Sequence, residues 1–235
     1  MAIDDLPGPV VNLLNIIGVP WPYLNEDTVT QFATLTREFA SAVQTTHQDA
    51  TQAIAGIAAA HQGASTERMR SGWSSMSGEH VDELVTACHV LADALDVGAG
   101  YIVAQKIEAI ATLIGMAAAF IADQAASVAT FGLAETAVPL IIEGAEKLVK
   151  SLVMDLQQYI IGQLIEAAAK PLFAKVEAAM AGLDWSQSGA PATRSTGFSV
   201  QPDGVRAQTA ALRTHASTMR AHGSTFQQGV QGLSF

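Results

Sequence analysis

Thr66-Glu-Arg-Met-Arg-Ser-Gly-Trp-Ser-Ser-Met-Ser-Gly-Glu-His80 separates two long stretches of helical periodicity. Upstream, apolar or small residues recur at Phe32, Leu35, Phe39, Val43, Ala50, Ala53 and Ile57; downstream they recur at Val81, Leu84, Cys88, Leu91, Leu95 and Ile102. Spacings of three and four belong to one face of a helix. Gly72 and Gly78, with Ser71, Ser74, Ser75 and Ser77, interrupt that rhythm. A hairpin turn is therefore expected at residues 67–76, with Ser77 capping the second helix and Glu79 in its first turn. Trp73 falls at the bend. An indole there either wedges the hairpin shut or waits for a partner.

Outward from this stretch, the first helix is expected over about 25–66 and the second over about 78–130. The first would be about 60 Å long at 1.5 Å per residue, which calls for a neighbour along its length. Before it, paired apolar residues between Val10 and Ile17 predict a short helix stopping at Gly18, and Pro20 and Pro22 force an extended segment carrying Trp21 and Tyr23. Asn25 stands where a cap is needed, followed by Glu26 and Asp27. In the second helix, Ile107 to Ala122 is almost wholly apolar or small. Only 14 residues separate Glu108 from Asp123, short of the roughly 20 that a bilayer core requires, so a buried helix is expected. Pro139 suits the first turn of a third helix, expected over 139–182. Glu143/Lys147, Glu146/Lys150 and Glu166/Lys170 mark its solvated side, and Pro171 should kink it. Leu148, Leu152, Leu156, Tyr159 and Phe173 lie opposite the charges.

Three segments follow from this reading: a helical bundle domain over 1–183, a linker over 184–203 rich in Ser, Gly, Pro and Thr, and an isolated helix over 204–235. Val205, Leu212, Met219 and Phe226 recur at sevens in that last helix, a seam suited to one neighbour. It either packs on the hairpin or begins a second one. The overall expectation is an all-α fold, an elongated antiparallel helical hairpin extended into a bundle.

Charge excludes one function class. With 12 Lys+Arg against 22 Asp+Glu, the formal net charge is −10, which disfavours nucleic acid and anionic surfaces. The start, Met-Ala-Ile-Asp-Asp, is acidic where a secretory signal is basic, so any export is expected to be independent of a Sec-type signal. Chemistry is not evident either. His47, His61, His80, His89, His215 and His222 are scattered, without metal-ligand spacing, and no phosphate-binding glycine loop or nucleophile elbow occurs. Cys88 lies on an apolar face and reads as a buried thiol. No catalytic residue, metal or cofactor is expected.

These features together carry a resemblance. Two long amphipathic helices joined at a Trp-bearing turn resemble the WxG family of helical-hairpin substrates of type VII (ESX) secretion in Actinobacteria and Firmicutes. The motif here is Trp73-Ser74-Ser75, with Ser75 where the family usually has Gly, and Gly72 and Gly78 can supply the turn's flexibility. Gly18-Val-Pro-Trp-Pro-Tyr-Leu-Asn-Glu-Asp27, followed by a long helix, is similar to the N-terminal region of large actinobacterial polymorphic toxins, including a mycobacterial channel-forming toxin. The resemblance spans about residues 1–185, and the segment after Asp203 is similar to the first arm of another WxG-like unit.

The resemblance implies a non-enzymatic secretion substrate, or the targeting domain of a larger toxin, cytoplasmic before export and then secreted or at the cell surface. Its implied partners are the type VII machinery and a small WxG-type helical protein, or a homo-oligomer. Gly72, Trp73, Ser74 and Ser75 would carry recognition. The family's tail signal, Tyr-x-x-x-Asp/Glu, follows the second helix; Tyr23 and Asp27 have that spacing before the first, as a mimic of it. If they do not act so, Tyr23 packs as a hydrophobic staple and Asp27 supports the helix start. Two other classes remain: a membrane-active pore former using the 107–129 segment, and a structural coiled-coil assembly factor.

Overall fold

The computed structural model describes residues 6–76, 81–129, 138–181 and 199–234. The fold is all-α. In chain order the helices are α1 (Gly8–Ile17), α2 (Glu26–Ala60), α3 (Ala64–Met76), α4 (Asp82–Ala129), α5 (Val138–Tyr159), α6 (Lys170–Ala181) and α7 (Pro202–Gln231), with wider π-type turns over Ile160–Ala169 leading into α6. Two short strands, β1 (His61–Gln62) and β2 (Ser199–Val200), pair antiparallel, His61 opposite Val200.

Local signals set several boundaries. Gly18 closes α1 in the left-handed conformation, φ 69°, its N–H donating to the Leu14 carbonyl. Asn25 Oδ1 accepts the Thr28 N–H at 3.2 Å, so the expected cap opens α2. Elsewhere the expected boundaries move. Residues 67–76 do not form a turn: they are the body of α3, and the break falls at residues 61–63 instead. The Gly63 carbonyl accepts the Thr66 N–H at 3.0 Å there, and the Gln201 N–H binds the Ala60 carbonyl at 2.8 Å. A partner distant in sequence thus takes up the last carbonyl of α2. The expected Ser77 cap, Gly78 and Glu79 lie outside the described residues, as does almost all of the expected linker.

The chain divides into two compact units. The first comprises Met1–Gln31, Ala94–Ile165 and Ser234–Phe235. In it α1 lies against α5, with Val10 and Leu13 of α1 and Ala145, Val149, Leu152 and Leu156 of α5 buried. Tyr101 stacks on Tyr159 with ring centroids 4.1 Å apart. Gly98 lies close to Leu164, where an added Cβ would make ordinary van der Waals contact at 3.4 Å. The apolar stretch of α4, expected to be buried, is buried on one side only: Ala109, Leu113 and Ala117 are enclosed, but Ile107, Ile114 and Ile121 are exposed. By length and composition alone, Asp82–Ala125 is also long and apolar enough to cross a membrane.

The second unit comprises Phe32–Asp93 and Glu166–Leu233. Here α2 and α4 run antiparallel, as the hairpin reading requires. Ala40 and Val43 pack with Val85 and Cys88, while Arg37 meets Asp93 at 2.7 Å. Leu172 and Met219 complete this cluster. Burial raises the Cys88 thiol pKa to about 11, so it is a core side chain at neutral pH. Phe173, expected on the apolar side, is 65% exposed. The kink expected at Pro171 takes the form of π-type turns ahead of it, which make room for a ring that would otherwise crowd the preceding turn.

The last helix is not isolated. Its Phe226 ring sits 4.9 Å from Phe39 and 6.4 Å from Phe32, His222 Nε2 and Thr46 Oγ1 share a 3.0 Å hydrogen bond, and Gly204 comes against Ala60. As residue numbers rise on α7 they fall on α2, so the two are antiparallel. The sevenfold seam read from sequence thus finds its neighbour within the chain. Gly229 marks a close approach at this contact: a Cβ would come within 2.9 Å of the Leu35 methyls, which would have to shift. Phe226→Ala should cost about 1–2 kcal/mol, because the ring is half-buried. The check is the urea midpoint of the helical signal; an unchanged midpoint would mean that α7 adds nothing to this unit.

Candidate functional site

The break at residues 61–63 lets α3 fold back along α2, which brings Trp73 to residues more than twenty positions earlier in sequence. Its indole stacks on the His47 ring, centroids 5.1 Å apart and planes within 14°. The indole N–H donates to Thr51 Oγ1 at 2.9 Å. His47 and Thr51 are four residues apart and therefore share one face of α2. Ring and hydrogen bond fix the indole's orientation while leaving it half-exposed.

The neighbouring residues contribute less. Gly72 is exposed, with open space where a Cβ would stand, and it is helical, so the flexibility expected of it is not used. Ser74 is exposed, and Ser75 lies in the same helix. Tyr23 is 68% exposed on the extended segment before α2. It does not pack as a hydrophobic staple; Trp21, at 4% exposure, is the aromatic that the segment buries. Asp27 is half-buried in the first turn of α2. The structure therefore brings Trp73 together with His47 and Thr51, residues that sequence reading did not associate with it.

His47 is buried, and that desolvation lowers its pKa from the ordinary 6.5, with Asp82 opposing the shift in part. A depressed imidazole pKa means that the unfolded chain takes up the proton first. Stability from the neutral ring is complete above about pH 6.5 and falls as the pH drops through that value toward the folded pKa. Acidification from about pH 8 to about pH 5 should therefore lower the urea midpoint more in the parent than in His47→Gln. Equal losses would remove His47 from the pH response.

Sequence reading also missed a buried ion pair in the first unit. Lys106 is wholly enclosed, its Nζ donating to the Leu24 carbonyl at 2.7 Å and to Glu26 Oε2 at 3.0 Å. The available signal was a lone cation interrupting the apolar face of α4. Among the described residues, no group of three or more His, Cys, Asp or Glu side chains could hold a metal ion.

An antiparallel helical pair with a third, folded-back helix places the chain among all-α helical-hairpin proteins. The family model for the WXG100-like domain matches residues 3–142, more than half of the 235-residue chain. The chain belongs to that family, and is a helical protein related to type VII secretion. The matched region spans α1 to α4 and the beginning of α5. No curated protein and no solved structure matches the chain.

Proposed function

We propose that this chain is a non-enzymatic substrate or targeting domain of type VII secretion, which the machinery or a small WxG-type helical partner recognises through the α3 face bearing Trp73. The observation that carries the reading is the indole itself: oriented by His47 and Thr51 yet half-exposed. A side chain needed only for packing gains most by complete burial, whereas one offered to a partner must be both accessible and pre-oriented. Gly72, Ser74 and Ser75 flank it as small residues that let a second helix approach. Tyr23, which is exposed, and Asp27, half-buried four residues later, act in this reading as the counterpart of the family's tail signal. Where it serves as a targeting domain, its cargo in this reading is a toxin.

Deleting the secretion ATPase in the native host should trap the protein in the cytoplasm, with the exported fraction falling by at least about tenfold. Unchanged export in that strain would overturn the proposal.

A further inference from the structure

Arg206, Arg213 and Arg220 recur at sevens along α7, each one residue after a member of the seam that packs on α2. Seven residues are two turns, so the three side chains leave the helix in one line about 10.5 Å apart. Ala210, Ser217 and Ser224 follow each of them by four residues, at the same repeat. All six are exposed. The helix thus carries two seams: an apolar one closed by Leu35 and Phe39 of α2, and an outward one in which a large cation alternates with a small side chain.

These arginines differ from other exposed cations of the chain in what stands beside them. Lys147, Lys150 and Lys170 each meet a glutamate four residues earlier, and Arg37 meets Asp93. Four residues before Arg213 and Arg220 stand Thr209 and Ala216, and four after them stand Ser217 and Ser224. The one acid of α7 is Asp203, which meets Arg206 at 3.4 Å. Among the described residues, Arg213 and Arg220 have no carboxylate partner. A chain of net charge −10 therefore keeps two cations in line with no acid of its own between them.

We propose that this outward seam docks an acidic helix of another protein, one in which Asp or Glu recurs at sevens. Laid along α7, such a helix presents carboxylates at the same spacing of about 10.5 Å. Each can meet one guanidinium through two parallel hydrogen bonds, a geometry that arginine offers and lysine does not. Ala210, Ser217 and Ser224 leave grooves between the cations into which the partner's side chains fit. Other anionic partners fit less well. A membrane surface calls for large apolar side chains beside the cations, and Met219 and Phe226 are turned the other way, into the packed side of α7. A single-stranded nucleic acid calls for aromatic platforms, and Phe226 is the only Phe, Tyr or Trp of this helix. The seam lies on α7, outside the family-matched region, and Trp73 lies on α3; the inference thus goes beyond the secretory reading, and each can fail without the other.

Fluorescence anisotropy with the full chain tests the match of spacing and charge. The probe is a labelled Ala- and Gln-rich peptide about six turns long with Glu at sevens; its control has the same composition with Glu at fives, which spreads the acids around the helix. At low salt the first should bind at least about tenfold more tightly than the second, and added salt should weaken it. Replacing Arg213 and Arg220 together by Ala should weaken binding by at least about tenfold with the helical circular dichroism unchanged, since both side chains are exposed. Arg213→Glu with Arg220→Glu should lose the acidic peptide and bind one carrying Lys at sevens instead. No binding at low salt, equal affinity for the two acidic peptides, or indifference to the alanine pair would each overturn the proposal. So would tighter binding, through the same arginines, of phosphatidylglycerol vesicles or of an oligothymidylate, which would assign the seam to a membrane or to nucleic acid.

Discussion

Lys106→Ala should destabilise the protein by about 3–5 kcal/mol, because it leaves Glu26 charged and enclosed without its cation. Both side chains are withdrawn from solvent, at 0% and 5% exposure, and the lysine also satisfies the Leu24 carbonyl. Its loss thus removes an anchor from the extended segment as well as an ion pair from the first unit. The expected observation is a large fall in the urea midpoint together with a change in Trp21 emission, since that buried indole belongs to the same segment. A double variant separates the penalty of an orphaned charge from the worth of the pair. Glu26→Leu with Lys106→Met should recover most of the loss, since replacing a buried pair by apolar side chains of similar volume is often neutral or better. A Lys106→Ala protein that unfolds within about 1 kcal/mol of the parent would mean that water or another cation reaches Glu26.

Trp73→Ala should have a modest effect on folding and a large one on export. The indole gives up a stacked contact with His47, one hydrogen bond to Thr51 and part of its apolar area. For a half-buried ring these amount to about 1–2 kcal/mol, below the 3 kcal/mol or more expected of an enclosed one. Export should fall by at least about tenfold if that face is what a partner reads, as hot-spot aromatics in other interfaces do. Trp73→Phe divides the roles, keeping the stack while removing the N–H donor. Export retained in Trp73→Phe and lost in Trp73→Ala would assign recognition to the ring face. Normal export of a destabilised Trp73→Ala protein would reduce the residue to packing. Ser75→Gly, which restores the family's usual third position, should be tolerated for export on the same argument.

Helix type and several boundaries were legible from sequence because they depend on neighbours within a turn. Asn25 can bond the amide three residues on wherever the chain folds, and Gly18 can take a positive φ at no steric cost. The antiparallel pairing of α2 with α4 was legible too, from a periodicity long enough to require a partner, and the sevens of α7 announced a seam without naming what fills it.

What only the tertiary structure decided are the places where a distant residue competes with a local preference. The glycines and serines around Trp73 have weak helix propensity and read as a turn, yet they are helical through Met76. The break lies instead at residues 61–63, where β2 and the Gln201 amide meet the end of α2. Local propensities of a few tenths of a kcal/mol per residue yield to such contacts. Lys106 likewise drew no reading from sequence, because the Leu24 carbonyl and Glu26 that enclose it lie 82 and 80 residues earlier in the chain. The same holds for Trp73, whose partners on α2 exist only once α3 has folded back: sequence periodicity places a side chain on a face, but its environment is set by whichever other face the chain brings against it.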